Sequence, residues 1–120
     1  MQDPEIDRQF DRSRPALVAV STPGLIFAEI PLIRAARRHG VPSMAVDLSW
    51  DNLTNRGLIR VEPDRLLAWN EFQKKEAVEM HGVADDRVKV AGAPRIDAFL
   101  AMQPSTTREV SKKSRGGGRT

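Results

Sequence analysis

The chain has 120 residues, with 19 lysines and arginines against 16 aspartates and glutamates, and a formal net charge of +3. It has no cysteine and only two histidines, which excludes disulfide scaffolds, thiol catalysis and cysteine-bearing zinc sites and argues against a histidine-based metal centre. No apolar run approaches the ~20 residues of a membrane span, and the polar, acidic start is unlike a secretory signal, so we expect a cytoplasmic protein.

The positive charge is concentrated at one end of the chain. Residues 104–120 hold five lysines and arginines against one glutamate, a net charge of +4, which leaves residues 1–103 at −1. A basic tail can bind nucleic acid or anionic lipid through counterion release. Its glycines, serines and threonines are more typical of a disordered, solvated end, so we expect no specific nucleic-acid partner.

The sequence divides into three zones, which we predict to be a polar N-terminal segment at 1–15, an α/β half-domain at 16–103 and the basic tail at 104–120. In the first zone, Ile6 and Phe10 stand at helical spacing. Along the middle zone the predicted elements are a strand at 16–20, a helix at 25–39, strands at 43–48 and 65–69, a helix at 71–81, a strand at 87–91 and a helical turn or two at 96–102.

The first predicted helix has a cap, an apolar face and an internal proline. Thr22 and Pro23 suit the N-cap and the first helical position. Its apolar face is formed by three isoleucines, Ile26, Ile30 and Ile33. Pro31 either kinks this helix or moves its true start to a later residue.

The second predicted helix has clear ends. Asn70 can cap its start, and Gly82 follows its last turn. Its apolar side is predicted to consist of Phe72, Ala77 and Met80. His39 and His81 both fall near helix ends, where we predict structural roles for them.

Alternation of apolar strands with helices predicts a parallel, Rossmann-like sheet of about four strands with helices on both faces. Parallel strands place their carboxyl ends along one edge of the sheet, and ligands bind in the crevice outside that edge. Four loops should meet there, beginning at residues 21, 49, 70 and 92. Asp47 lies inside the second strand, and we predict that it finds a hydrogen-bonding partner in a neighbouring loop and has a structural role.

The loop at 49–57 is the richest in functional groups. Trp50 can stack on a sugar or a base, Asp51 and Asn52 can bond hydroxyl groups, and Arg56 can hold an anionic group. The alternative is an Asx-type turn in which Trp50 is a buried plug, and the sequence leaves both open. The chain lacks the glycine-rich motifs of dinucleotide and nucleotide phosphate sites and the serine elbow of hydrolases.

Three segments resemble bacterial glycosyltransferases of the GT-B type. They are SWDNLTNRG at 49–57, WNEFQKKEA at 69–77 and GAPRID at 92–97. Within that group the chain is most similar to glycosyltransferase-like and CDP-glycerol glycerophosphotransferase-like proteins of surface polysaccharide synthesis. The resemblance spans about residues 16–100.

The resemblance implies an enzyme with two Rossmann-like domains, of which the N-terminal one holds the acceptor and the C-terminal one the nucleotide-activated sugar donor. This chain is similar to the second half of the acceptor domain, and the donor domain is missing, so we expect a fragment or a frameshifted reading frame that is inactive alone. The expected acceptor is a saccharide or a lipid-linked saccharide, with peripheral contact to the inner membrane. The chain itself would hold no cofactor.

On this reading Asp51 is the candidate general base or acceptor-orienting group. The residues proposed to bind substrate are Ser49, Trp50, Asn52, Thr54, Arg56, Asn70 and Arg95. Two other functions stay open: a non-catalytic binding module with a basic tail, and a fragment of a nucleotide-sugar epimerase of the same fold.

Overall fold

A computed structural model describes residues 2–103 of the chain. The prediction of a disordered tail at 104–120 lies outside these residues. The elements are α1 (Pro4–Ser13), β1 (Val18–Val20), α2 (Ile30–Arg38), β2 (Ser43–Val46), α3 (Asn52–Asn55), β3 (Arg65–Ala68), α4 (Glu71–His81), β4 (Val88–Val90) and α5 (Pro94–Ala101). A short 3-10 turn, Asp85–Arg87, precedes β4.

The four strands form one sheet in the order β1-β2-β3-β4, and every neighbouring pair is parallel. Ala45 of β2 lies opposite Val20 on one side and Leu66 on the other, and Leu66 lies opposite Val88. The predicted fold class, an α/β Rossmann-like parallel sheet of four strands, is therefore confirmed.

The main core lies on the face of the sheet to which these four residues belong. α2 contributes Ile30 and Ile33, α3 contributes Leu53 and α4 contributes Ala77 to the same buried cluster. The alternate strand residues are less buried: Ala19 and Lys89 are exposed, while Met44, Val46 and Leu67 are half-buried. Burial of the sheet is thus uneven, and three helices share its better-covered face.

The polar N-terminal segment folds as helix α1. Asp3 caps it by accepting from the backbone N–H of Glu5 at 3.0 Å. Phe10 is buried against Ala35 and Ala36 of α2, as its helical spacing with Ile6 suggested. Asp7 accepts from Arg38 at 2.8 Å, and this hydrogen bond lowers the pKa of the Asp7 carboxyl.

His39 and His81 both have structural partners, as predicted. His39 stacks on Phe10 with ring centroids 5.0 Å apart, and its Nε2 lies 2.9 Å from the Asp7 carboxylate. His81 accepts from the backbone N–H of Ile59 through Nδ1 at 3.2 Å and donates to the carbonyl of Leu53 through Nε2 at 2.6 Å. The second histidine therefore ties α3 and the segment after it to α4.

Helix α2 starts at Ile30 and not at residue 25, so Pro31 marks a later start of the helix and not a kink within it. The prediction that Thr22 is the N-cap of this helix is wrong. Thr22 starts a tight turn instead, in which the Gly24 N–H donates to the Thr22 carbonyl at 2.8 Å. Gly24 has a φ of +72°, a left-handed conformation that cannot continue an α-helix. Ile26 therefore lies before the helix and is exposed.

The ends of α4 are as predicted, but its apolar side is not. The Asn70 side chain caps the helix by accepting from the Gln73 N–H at 2.8 Å, and Gly82 ends it with a φ of +68°. Phe72 and Met80 are exposed, whereas the fully buried residues of the helix are Gln73 and Ala77. A buried amide thus occupies a position at which an apolar side chain would be expected.

Candidate functional site

The carboxyl ends of β2 and β3 are adjacent, and the segments that follow them form the candidate site. The predicted loop at 49–57 contains one helical turn, α3, which the sequence did not predict. The N–H groups of Thr54 and Asn55 both donate to the Asp51 carbonyl, at 3.2 and 2.9 Å. A single turn of four residues has no periodicity to detect, so it could not be separated from a loop.

Asp47 anchors this region from inside the molecule. Its side chain is only 1% exposed, just beyond the end of β2. One oxygen accepts from the Asn52 amide at 2.6 Å and from the Ser49 N–H at 3.3 Å, and the other accepts from the Gln73 amide at 2.9 Å. Burial raises the pKa of the Asp47 carboxyl, because an apolar environment disfavours its charge. The prediction that Asp47 finds a hydrogen-bonding partner in a neighbouring loop is confirmed by Asn52, whereas its partner on α4 was not predicted.

Gln73 connects the three segments of the site. Its amide N–H group also donates to the Ser49 carbonyl at 3.2 Å, and its side-chain oxygen accepts from the Trp69 N–H at 2.7 Å. The indole N–H of Trp69 donates to the Asp47 carbonyl at 2.6 Å. These bonds fix the loop after β2, the end of β3 and the first turn of α4 relative to one another. Sequence reasoning missed Gln73, although the 69–77 motif that contains it was singled out.

An aromatic cleft of about 320 Å³ opens beside this network. Its lining residues are Trp50, Thr54, Trp69, Asn70, Phe72, Gln73 and Glu76. Trp50 is 74% exposed and Phe72 is 72% exposed, so Trp50 is not a buried plug. Among residues 2–103 the only stacked aromatic pair is Phe10 with His39, so the aromatic rings of the cleft do not stack on one another.

Asp51 is at the N-cap of α3, between Trp50 and Thr54 in the chain, but it does not itself line the cleft. Its carboxylate accepts hydrogen bonds from the Ser49 hydroxyl and, at 3.3 Å, from the Asn55 amide. The bond from Ser49 is the main reason that the pKa of the Asp51 carboxyl is lowered, and the bond from Asn55 adds to it. Asp51 is therefore ionised and already bonded on both oxygens.

The structure brings only part of the predicted residue set together. Trp50, Thr54 and Asn70 line the cleft. Ser49 and Asn52 instead support the carboxylates of Asp51 and Asp47, and Asn52 is itself buried.

Two arginines of the predicted set lie outside the cleft. Arg56 follows α3 as an exposed residue, and Arg95 is exposed on α5. No residue of the segment 92–97 lines the cleft. Four of its lining residues were not predicted for it: Trp69, Phe72, Gln73 and Glu76. Trp69 was assigned to the third strand and Phe72 to the apolar side of α4.

Within residues 2–103 no cluster of three or more histidines, aspartates or glutamates is placed to hold a metal ion. None of the helices in this range is long and apolar enough to cross a membrane. Comparison of the chain with protein-family models, with curated proteins and with solved structures finds no match. The resemblance to GT-B glycosyltransferases therefore rests on the three sequence segments alone.

Proposed function

We propose that this chain is the acceptor-side part of a nucleotide-sugar-dependent glycosyltransferase and that the aromatic cleft holds the acceptor saccharide. The observation that carries the proposal is the lining of the cleft by Trp50, Trp69 and Phe72 together with the Thr54 hydroxyl and the Asn70 side chain. Aromatic rings pack against the apolar face of a sugar ring, and the polar groups can bond its hydroxyls. The location supports it too, because ligands of parallel sheets bind at the carboxyl edge.

The size of the cleft agrees with a ligand of one ring. Small-molecule sites commonly measure about 300–1,000 Å³. At about 320 Å³ this cleft is at the lower end of that range. It therefore suits the terminal residue of a saccharide chain, with the rest of the acceptor extending into solvent past the exposed Trp50.

Asp51 suits the orientation of the acceptor better than the removal of its proton. A general base is most effective when its pKa lies near the working pH, whereas hydrogen bonds from Ser49 and Asn55 lower the pKa of Asp51. Asp51 directly follows Trp50 of the cleft lining in the chain, and an ionised carboxylate is a strong acceptor for a sugar hydroxyl. In this proposal Asp51 positions the reacting hydroxyl.

The lining of the cleft argues against an epimerase fragment that would hold a nucleotide sugar here. A diphosphate needs positive charge or several N–H donors around it. The lining residues include one carboxylate, Glu76, and no lysine, arginine or histidine. The donor of the proposed transferase therefore binds outside this cleft, and a non-catalytic saccharide-binding module is the remaining alternative.

A cytoplasmic location with peripheral contact to the inner membrane is part of the proposal. Phe27 is strongly exposed, and the guanidinium carbon of Arg60 lies 4.9 Å from its ring centroid. An exposed aromatic side chain beside an arginine suits the boundary of an anionic membrane. Co-sedimentation with vesicles containing anionic phospholipid, weakened by Phe27→Ser, tests this part separately.

The saccharide site is tested by titrating the purified chain with a panel of soluble mono- and disaccharides while recording amide NMR shifts. We expect shifts to concentrate at residues 50–54 and 69–76 and binding to fall at least about tenfold in Trp50→Ala, which is about 1.4 kcal/mol. Phe99→Ala is the matched control, because Phe99 is an equally exposed aromatic side chain on α5 outside the cleft. Absence of binding to every saccharide in the panel would overturn the proposal.

A further inference from the structure

Glu76 gives the cleft a negative charge at a specific position. It lies on α4 four residues after Phe72 and three after Gln73, so all three side chains share one side of the helix. Glu76 is half-buried and lines the same cleft as the two tryptophans. Glu76 therefore forms part of the wall of the cleft.

The carboxylate of Glu76 has no counter-charge within the described part of the chain. The lysines on either side of it along the helix are engaged elsewhere: Lys74 pairs with Asp85 at 3.5 Å and Lys75 with Glu79 at 3.9 Å. Among residues 2–103 Glu76 makes no ion pair and no side-chain hydrogen bond. A half-buried carboxylate of this kind gains from any cation that enters the cleft, since opposite charges attract more strongly where water is partly excluded.

The aromatic side chains favour the same kind of ligand. The face of an indole or phenyl ring carries negative potential and attracts an ammonium group within about 6 Å of its centroid. Three such rings line the same cleft as Glu76. Because no lysine, arginine or histidine lines the cleft, nothing there favours a ligand with a carboxylate or a phosphate.

We infer that the saccharide bound in this cleft carries a protonated amino group, which pairs with the Glu76 carboxylate among the aromatic rings. This inference rests on the proposed function and names the class of acceptor: an amino sugar with a free amine. Neutral sugars are the weaker ligands of the cleft, and sugar acids are the weakest. Glu76 is a specificity-determining residue on this view.

The test uses five methyl glycosides that share ring and linkage: those of glucosamine and galactosamine, those of glucose and galactose, and the glucuronide. Each is titrated into the 120-residue chain at low salt and followed by amide NMR shifts. We expect at least one amine to bind about tenfold tighter than its hydroxyl parent and the glucuronide to bind least. The preference should shrink with added salt, because screening weakens a partly exposed ion pair.

Two variants assign the preference to its residue. Glu76→Gln should remove the difference in affinity between the amine and its hydroxyl parent. Glu79→Gln is the matched control, because Glu79 lies on the same helix but outside the cleft and should leave the difference intact. Far-UV circular dichroism checks that both variants are folded.

The possible failures are distinct. Equal binding of amine and parent, tighter binding of the glucuronide, or a preference that survives Glu76→Gln would overturn the assignment of an amino sugar while leaving a saccharide site in place. Binding of no glycoside in this set or in the wider saccharide panel would overturn the proposed function and this inference with it.

Discussion

Replacement of Gln73 by leucine tests whether the buried amide holds the site together. The change keeps a side chain of similar size and removes both polar atoms. The Asp47 carboxylate then loses the amide that bonds its second oxygen at 2.9 Å, and the Trp69 N–H loses its acceptor at 2.7 Å. The Ser49 carbonyl loses a weaker bond of 3.2 Å.

The expected loss of stability follows from the number of buried groups left without partners. A buried polar group without a hydrogen bond costs about 1–3 kcal/mol, and the loss of a bond to a charged group falls toward the upper end of that range. Two groups are strongly affected, the Asp47 oxygen and the Trp69 N–H, while the leucine gains some burial of apolar surface. We expect the free energy of unfolding to fall by about 3 kcal/mol, a large share of the ~5–15 kcal/mol of a typical domain.

The assay is urea unfolding of the purified chain at pH 7, followed by tryptophan fluorescence and far-UV circular dichroism. Gln9→Leu is the matched control, because Gln9 is an exposed glutamine on α1, and its replacement should change the free energy of unfolding by less than about 0.5 kcal/mol. The loss caused by Gln73→Leu should become smaller at acidic pH, where Asp47 is protonated and no longer needs two donors. A loss at pH 7 no larger than that of the control would refute this account of the network.

Three further predictions concern the turn, the buried acid and catalysis. Gly24→Ala should lower the melting temperature more than Gly40→Ala. Both glycines have a positive φ, but only at position 24 would the new Cβ lie 2.8 Å from a backbone oxygen, that of Val61. Equal losses in melting temperature would contradict the close packing at Gly24. Burial raises the pKa of Asp47, so the folded chain loses stability as the pH rises through that pKa and the acid ionises. The wild-type chain should therefore gain stability relative to Asp47→Asn as the pH falls from 7 toward 4. If the free energies of unfolding of the two proteins, measured in urea, change in parallel with pH, Asp47 has no such role. The purified chain should release no nucleoside diphosphate from nucleotide sugars, because in the proposed function it holds the acceptor, and its cleft offers no positive charge to a diphosphate. Sustained release in a coupled assay would contradict this.

Sequence alone predicted the parallel sheet because its determinants are local. Apolar runs marked all four strands, although each strand is shorter than its run, since residues such as Leu17 and Leu48 continue the run beyond the hydrogen-bonded ladder. Asn70 and Gly82 marked both ends of α4 because caps act within a few residues. Signals for α1 were also present, in the Asp3 cap and in the spacing of Phe10 from Ile6, but the density of charge in that segment outweighed them.

The candidate site was less predictable because long-range contacts create it. Gln73 and Asp47 are 26 residues apart in sequence, and nothing near either residue indicates the other. The side of α4 that faces the core depends on where β3 places the helix. Because Gln73 faces the core, the neighbouring Phe72 is exposed and lines the cleft. A hydrophobicity scale predicts that Phe72 is buried and Gln73 is exposed, which is the reverse of the structure.

The two carboxylates that follow β2 show how one short segment can both support and expose the candidate site. Asp47 is buried, its pKa is raised, and its donors Asn52 and Gln73 lie on α3 and α4. Asp51, four residues later, is accessible and its pKa is lowered. Environments that shift the pKa values of two aspartates in opposite directions suit them to different roles. Asp47 fixes the segments that carry the aromatic rings, so the entropic cost of ordering them on ligand binding is smaller. The outer acid, Asp51, is then an ionised acceptor on a supported segment, as the proposed orientation of a sugar hydroxyl would need.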